Sequence, residues 1–219
     1  MDLCSLSVKD FIKRVAEKSP TPGGGAVGAV AAALAAALGA MVSNLTIGKK
    51  GYEDVESQME ACLEIFGNEM SYLCDLVNKD VQAFDQVMAA YRLPKNSEEE
   101  KAVRTVKIQQ ALKTAIEVPF DLARRCKNVI VNVERLAKWG NLNAISDAES
   151  AAHLLYAVYY VAKANVMINM KSLKDPRYCN WIKEEMDHLE KQIEASYRRI
   201  LEVNKKEKWL NSPSQKKTR

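Results

Sequence analysis

Histidine is nearly missing from this 219-residue chain: His153 and His188 are the two, far apart and in no metal-ligand spacing. That argues against metal catalysis. The five cysteines (Cys4, Cys62, Cys74, Cys126, Cys179) are odd in number and form no Cys-x-x-Cys, so neither a disulfide framework nor a zinc site is expected, and the protein reads as cytoplasmic with reduced thiols. The single glycine cluster is not followed by Gly-Lys-Ser/Thr, which excludes a P-loop. The start lacks a basic region, apolar block and cleavage site, so no signal peptide is expected. Strand-like alternation and internal repeats are absent too, and no charge falls between Lys18 and Lys49.

Hydrophobic residues make up 47% of the chain, enough for a sizeable core, and residues 1–204 are expected to form a single domain. Residues 205–219 hold six cations against Glu207, more than the net charge of +4, so the body is near neutral. With Ser212, Pro213, Ser214 and Gln215 in it, this basic segment reads as a disordered, solubilising tail rather than a nucleic-acid site.

The uncharged stretch begins with Ser19-Pro20-Thr21-Pro22-Gly23-Gly24-Gly25 and continues as an alanine-rich segment from Ala26 to Ile47. Prolines stiffen the approach, and three glycines allow a close backbone approach that any Cβ would block. A helix starting there leaves its first N–H groups unpaired at the positive end of its dipole, where an anion can settle. The same turn serves equally as a tight connection between packed helices. Val27, Val30, Leu34, Leu38, Met41 and Leu45 recur in steps of three or four among small residues. This predicts a gripping stripe on the central helix of a bundle, its other faces letting neighbours come close, rather than a membrane span.

A weak capping box at Ser7 and Asp10 predicts a short helix to Lys18. After Gly48-Lys49-Lys50-Gly51, apolar residues from Val55 to Tyr91 recur ten times over 36 residues, the pitch of one straight helix about 60 Å long. Pro94 ends it. Ser97 to Glu100 opens a second long helix reaching Lys138, which Pro119 is expected to bend or break by removing one N–H and crowding the Ala115 carbonyl. Ser146 to Glu149 predicts another helix start, ending near Leu173, and Asp175-Pro176 begins the last helix, with Tyr178, Ile182, Met186, Leu189, Ile193, Tyr197 and Ile200 on one face. The chain is thus expected to be an all-α bundle of about six helices.

A few residues fit a bland core poorly. Asp80 falls only about 60° from the centre of the long helix's apolar face, beside Val77 and Phe84. A carboxyl there has a raised pKa suited to proton transfer, or else pairs with a cation from another helix. Asp85 is a weaker candidate on the opposite side. Asn165 and Asn169 are four apart on an apolar helix, so they either bond neighbouring helices or line a polar slot. Lys95 and Arg104 could hold carboxylates, solvated charge being the default. His153 reads as a satisfied core residue.

Several strings occur together: Pro22-Gly23-Gly24-Gly25, Asn44 to Lys50, Asp80-Val81-Gln82-Ala83-Phe84, Leu93 to Lys101, Val118-Pro119, Gly140-Asn141-Leu142, Ser146-Asp147 and Asn165 to Asn169. In their order, over roughly residues 6 to 200, the chain resembles the formiminotetrahydrofolate cyclodeaminase family, which also contains methenyltetrahydrofolate cyclohydrolases. The resemblance implies an all-helical, usually dimeric cytoplasmic enzyme acting on one-carbon tetrahydrofolates, polyglutamylated or not, with no separate cofactor, metal, nucleic acid or membrane. It implies closure of 5-formiminotetrahydrofolate to the 5,10-methenyl form with loss of ammonia, or hydrolysis of the methenyl form to 10-formyltetrahydrofolate; a bundle that only binds folate or a partner helix is the non-catalytic alternative.

The family's catalytic acid corresponds to Asp80. Gly23, Gly24 and Gly25 would border the pocket, Lys95 and Arg104 would compensate folate carboxylates, and Asn141, Asp147, Asn165 and Asn169 would supply polar contacts to the pterin or to the structure around it. Ala26 stands where relatives often have serine, and Asn78 where some have a second acid. The formiminotransferase domain of animal relatives has no counterpart in this sequence, so formimino-folate would have to be supplied from elsewhere, which keeps the hydrolytic alternative open.

Overall fold

The computed structural model describes residues 2–210. They form six α-helices joined by turns and short 3-10 segments, and contain no strand. The helices are α1 (Val8–Val15), α2 (Gly24–Asn44), α3 (Glu56–Arg92), α4 (Glu98–Trp139), α5 (Ile145–Met170) and α6 (Pro176–Leu210). Helix α6 continues through Lys205, where a tail was expected, to Leu210; residues 211–219 lie outside the described part. The chain divides into two compact units, Met1–Val30 with Tyr72–Arg124 and Val158–Leu189, and Ala31–Ser71 with Arg125–Ala157 and Glu190–Arg219.

Most helix starts follow their local chemistry. Ser7 Oγ accepts from the Asp10 N–H at 3.1 Å, although α1 stops at Val15 and not Lys18. At α4 the capping box is complete, with Ser97 Oγ accepting from the Glu100 N–H (3.2 Å) and Glu100 Oε2 accepting from the Ser97 and Asn96 N–H groups (3.4 and 2.6 Å). Asp175 accepts from the Tyr178 N–H at 3.1 Å, and Pro176 occupies the first helical position, where no donor is needed. The expected start at Ser146 is corrected. Asn141 caps a 3-10 turn, Leu142–Ala144, that runs directly into α5, so Ser146 already lies in the first helical turn and its carbonyl accepts from Ser150 Oγ at 2.8 Å.

Helix α3, 37 residues long, spans about 55 Å as its period requires. Helix α4 runs unbroken for 42 residues through Pro119. The Ala115 carbonyl, which a residue other than proline at 119 would have bonded, instead accepts from Asn169 Nδ2 on α5 at 2.8 Å. A donor from another helix thus replaces the lost intrahelical one.

On helix α2 the neighbours do come close at the small-residue faces, but the bulky stripe is not the buried one. Val27, Leu34, Met41 and, just past the helix end, Leu45 are exposed and Val30 and Leu38 half-buried, whereas Ala26, Ala29, Ala32, Ala35 and Ala36 are all but fully buried. Small side chains face inward because they permit close helix approach, and the bulky ones that would hold neighbours apart are left outside. The helix is long and apolar enough to cross a membrane, but 61% of its 18-residue apolar window is buried inside the fold.

In the second unit Gly48 and Gly51 take positive φ values of 69° and 87°, conformations that favour glycine. Gly39 there lies against the fully buried Phe66, and a Cβ on it would come within 2.7 Å of the ring. Gly39→Ala should therefore destabilise the protein by about 1–3 kcal/mol despite alanine's better helix propensity. Urea denaturation checks this, and a stability equal to or above wild type would contradict the packing.

Candidate active site

The first unit contains a groove of about 320 Å³ lined by Pro20, Thr21, Gly23 to Gly25, Asp80, Ala83, Phe84, Val87, Ala115, Asn165, Ile168 and Asn169. The entry turn before α2 supplies one side, α3 the acid and the aromatic ring, and α5 the two amides. Sequence reasoning anticipated Gly23, Gly24, Gly25, Asp80, Asn165 and Asn169 as site candidates, and the fold brings them together here.

Asp80 occupies the position that the glycine turn seemed to reserve for a ligand anion. Its Oδ2 accepts from the Ala26 N–H, in the first turn of α2, at 3.0 Å. The approach depends on Gly25: a Cβ there would lie 2.1 Å from Asp80 Oδ1 and 2.6 Å from Cγ. Gly24 is less constrained, since its Cβ would meet Asn165 Nδ2 at an ordinary 3.5 Å. Burial pushes the Asp80 pKa up, and the Ala26 hydrogen bond only partly opposes this. The alternative of a cation partner is not realised, for among the described residues no Lys or Arg pairs with Asp80.

The two amides are anchored differently. Asn165 Nδ2 donates back to the Val161 carbonyl at 2.8 Å, whereas Asn169 Nδ2 crosses to Ala115 on α4. Phe84, Val87, Ala83 and Ile168 give the groove apolar walls, fit for a flat ring system with few polar edges.

Other candidates lie elsewhere. Lys95 is exposed in the turn after α3, and Arg104 donates to the Tyr91 carbonyl at 3.0 and 3.4 Å; neither lines the groove. Asp85 is exposed and borders a different depression, with Arg14 and Gln82. Asn141 and Asp147 belong to the second unit. There Asn141 is buried, donates its backbone N–H to Thr46 Oγ1 at 2.9 Å, and donates through Nδ2 to the Leu45 carbonyl at 2.9 Å. Asp147 sits in the first turn of α5, where a negative charge suits the helix dipole. His153 is exposed rather than in the core, and its Nδ1 is 2.8 Å from the Tyr197 hydroxyl. Asn78 fastens the N-terminus, accepting from the Leu3 N–H at 3.0 Å and donating to Asp2 at 2.8 Å.

Sequence reasoning missed the pairing of Asn169 with Ala115, although Pro119 signalled it: a proline inside a helix leaves the carbonyl four residues back in need of a donor. Among the described residues no three His, Cys, Asp or Glu side chains are grouped to hold a metal ion.

Because Asp80 ionises less readily in the folded chain than in the unfolded one, its contribution to stability is fully present below the ordinary aspartate pKa of about 3.9 and is lost as pH rises through the raised native value. Asp80→Asn should abolish that contribution, so the difference in Tm between variant and wild type should move in the variant's favour as pH rises from 3 to 7. A difference independent of pH would contradict the burial assigned to this carboxyl. Gly25→Ala should displace the carboxyl and shift its titration by NMR, with Gly24→Ala leaving it nearly unchanged.

Comparison with known proteins places this groove in context. The family described as formiminotransferase-cyclodeaminase matches residues 7–188. A methenyltetrahydrofolate cyclohydrolase of Methylorubrum extorquens is 44% identical over 199 residues, covering 91% of this chain and 96% of that one. A formimidoyltransferase-cyclodeaminase of Gallus gallus is 40% identical over 168 residues, covering 77% of this chain but 31% of the longer relative. The crystal structure of formiminotetrahydrofolate cyclodeaminase from Thermotoga maritima superposes with a TM-score of 0.85 at 44% identity, covering 93% of this chain and 98% of that one. With a matching family, full-length relatives and a shared helical fold, the chain belongs to the formiminotransferase-cyclodeaminase family.

Proposed function

We propose that this chain is a folate one-carbon enzyme that closes 5-formiminotetrahydrofolate to 5,10-methenyltetrahydrofolate with release of ammonia. The observation that carries the reading is the Asp80 carboxyl, held in a partly buried groove without a cation partner and with its pKa raised. The likeness to the cyclodeaminase structure supports it.

In this reaction N10 attacks the formimino carbon on N5, forming the second C–N bond of a five-membered ring. The exocyclic nitrogen must then be protonated before its bond to that carbon breaks. Protonated Asp80 delivers a proton to this nitrogen, and the carboxylate left behind collects the N10 proton. One further proton from solvent balances formation of neutral ammonia and the cationic methenyl bridge. The raised pKa keeps Asp80 protonated over more of the working pH range, and the apolar walls of Phe84 and Val87 limit water that would hydrolyse the product. The chemistry needs proton transfer and positioning but no separate cofactor.

A second reading is favoured by the full-length relative named as a methenyltetrahydrofolate cyclohydrolase. There Asp80 acts as a base, taking one proton from the water that attacks the methenyl carbon and returning it to N5 as the C–N5 bond breaks, while the remaining hydroxyl proton is released to solvent as the formyl C=O forms. The exposed residues Leu34 and Met41 of α2, with Leu45 just past its end, support a homodimer, and five cysteines without a disulfide suit a cytoplasmic protein. The Lys95 and Arg104 charges, outside the groove, remain available to folate carboxylates beyond it.

Incubation with each folate, following the methenyl chromophore and ammonia, tests the function. Chromophore gain with ammonia establishes cyclodeaminase, chromophore loss without ammonia establishes cyclohydrolase, and no change above the uncatalysed rate refutes both. Asp80→Asn should lower kcat on the order of 100-fold or more while folate still binds. The pH profiles separate the roles further: acid-driven deamination declines as Asp80 ionises, whereas base-driven hydrolysis rises through the same pH range.

A further inference from the structure

Pro119 lies inside α4, where a proline is costly, and it has no part in the proton transfer described above. Its local effect is to leave the Ala115 carbonyl without an intrahelical donor, and Asn169 Nδ2 fills that vacancy at 2.8 Å. Ala115 and Asn169 both line the groove that contains Asp80. A carbonyl can be served only by the nitrogen end of a carboxamide, so this contact fixes which way round the Asn169 amide sits. Asn165, one turn earlier on α5, is likewise anchored by its nitrogen, to the Val161 carbonyl at 2.8 Å. Among the described residues neither Oδ1 receives a hydrogen bond.

Resting on the folate reading, we propose that Pro119 is a positioning residue which, through Ala115, turns the oxygen of Asn169 into a fixed acceptor, and that Asn165 and Asn169 together read the 2-amino group of the reduced pterin. That exocyclic group carries two N–H bonds on one nitrogen and matches a pair of carboxamide oxygens presented from one helix face. A ligand without these donors leaves the oxygens desolvated and unpaired, which selects against it. A tighter α4 with an ordinary residue at 119 would release Asn169 to rotate and blur that selection.

The test uses the full chain, with Pro119→Ala, Asn169→Ala and the double variant, and two ligands: tetrahydrofolate and its analogue with a methyl group replacing the 2-amino group. Wild type should prefer tetrahydrofolate by roughly tenfold or more in Kd. Asn169→Ala should reduce most of that preference, and Pro119→Ala should reduce it in the same direction while preserving helicity, with the loss falling on KM more than on kcat. In thermal unfolding, Asn169→Ala should lower Tm by a few degrees in wild type but much less in the Pro119→Ala background, where residue 119 supplies its own N–H.

An unchanged ligand preference in both single variants, with wild type binding tetrahydrofolate normally, overturns the inference and spares the folate reading. Additive Tm effects in the double variant overturn the link between Pro119 and Asn169. Failure of wild type to bind tetrahydrofolate overturns the folate reading itself.

Discussion

A carboxylate resting against the first turn of a helix through one backbone hydrogen bond is the interaction from which the site follows. Two opposing effects act on Asp80. The Ala26 N–H and the helix dipole favour its charge, while removal from water disfavours it more strongly. The outcome is an acid that is precisely placed by a partner which does not fully neutralise it. A lysine or arginine in the same position would also have oriented the group, but would have locked it in the ionised form and removed its value as a proton donor. The backbone N–H orients without that penalty.

This arrangement explains why glycine and alanine dominate the segment facing Asp80. Gly25 leaves the space in which the carboxyl lies, and Ala26 offers its N–H from a side chain too small to obstruct the groove. The hydrogen bond to the acid comes from the main chain alone. Asn78, two residues before Asp80, has its amide committed to Asp2 and Leu3 and lies outside the groove lining. Among the residues that line the groove Asp80 is the one carboxyl, which simplifies its titration.

Much of the fold could be read from the chain because its signals are local. The 3.6-residue period from Val55 to Tyr91, the box at Ser97 and Glu100, and the Asp175-Pro176 start are each determined within a few turns of backbone. Asp80 stood out for a similar reason, its angle on the wheel being a property of α3 alone. What escaped depends on partners distant in sequence. Close approach at the small faces of α2 was legible, but not that it would leave bulky Val27, Leu34 and Met41 outside, since bulk usually marks a core. The start of α5 was misplaced because Asn141 caps a 3-10 turn ahead of Ser146. The pairing of Asn169 with Ala115 required knowing that α4 continues through its proline and that α5 passes beside it.

The buried methyl groups of Ala26 and Ala29 bear one more consequence. An alanine has no side-chain torsion to sample, so fixing it costs no rotamer entropy and leaves it no alternative conformer to relax into. Where a leucine-lined wall can absorb a disturbance by flipping a side chain, this one transmits it to the main chain. The start of α2 therefore behaves as a rigid datum for the acid beside it, with no side-chain torsion on the hidden face to absorb a disturbance.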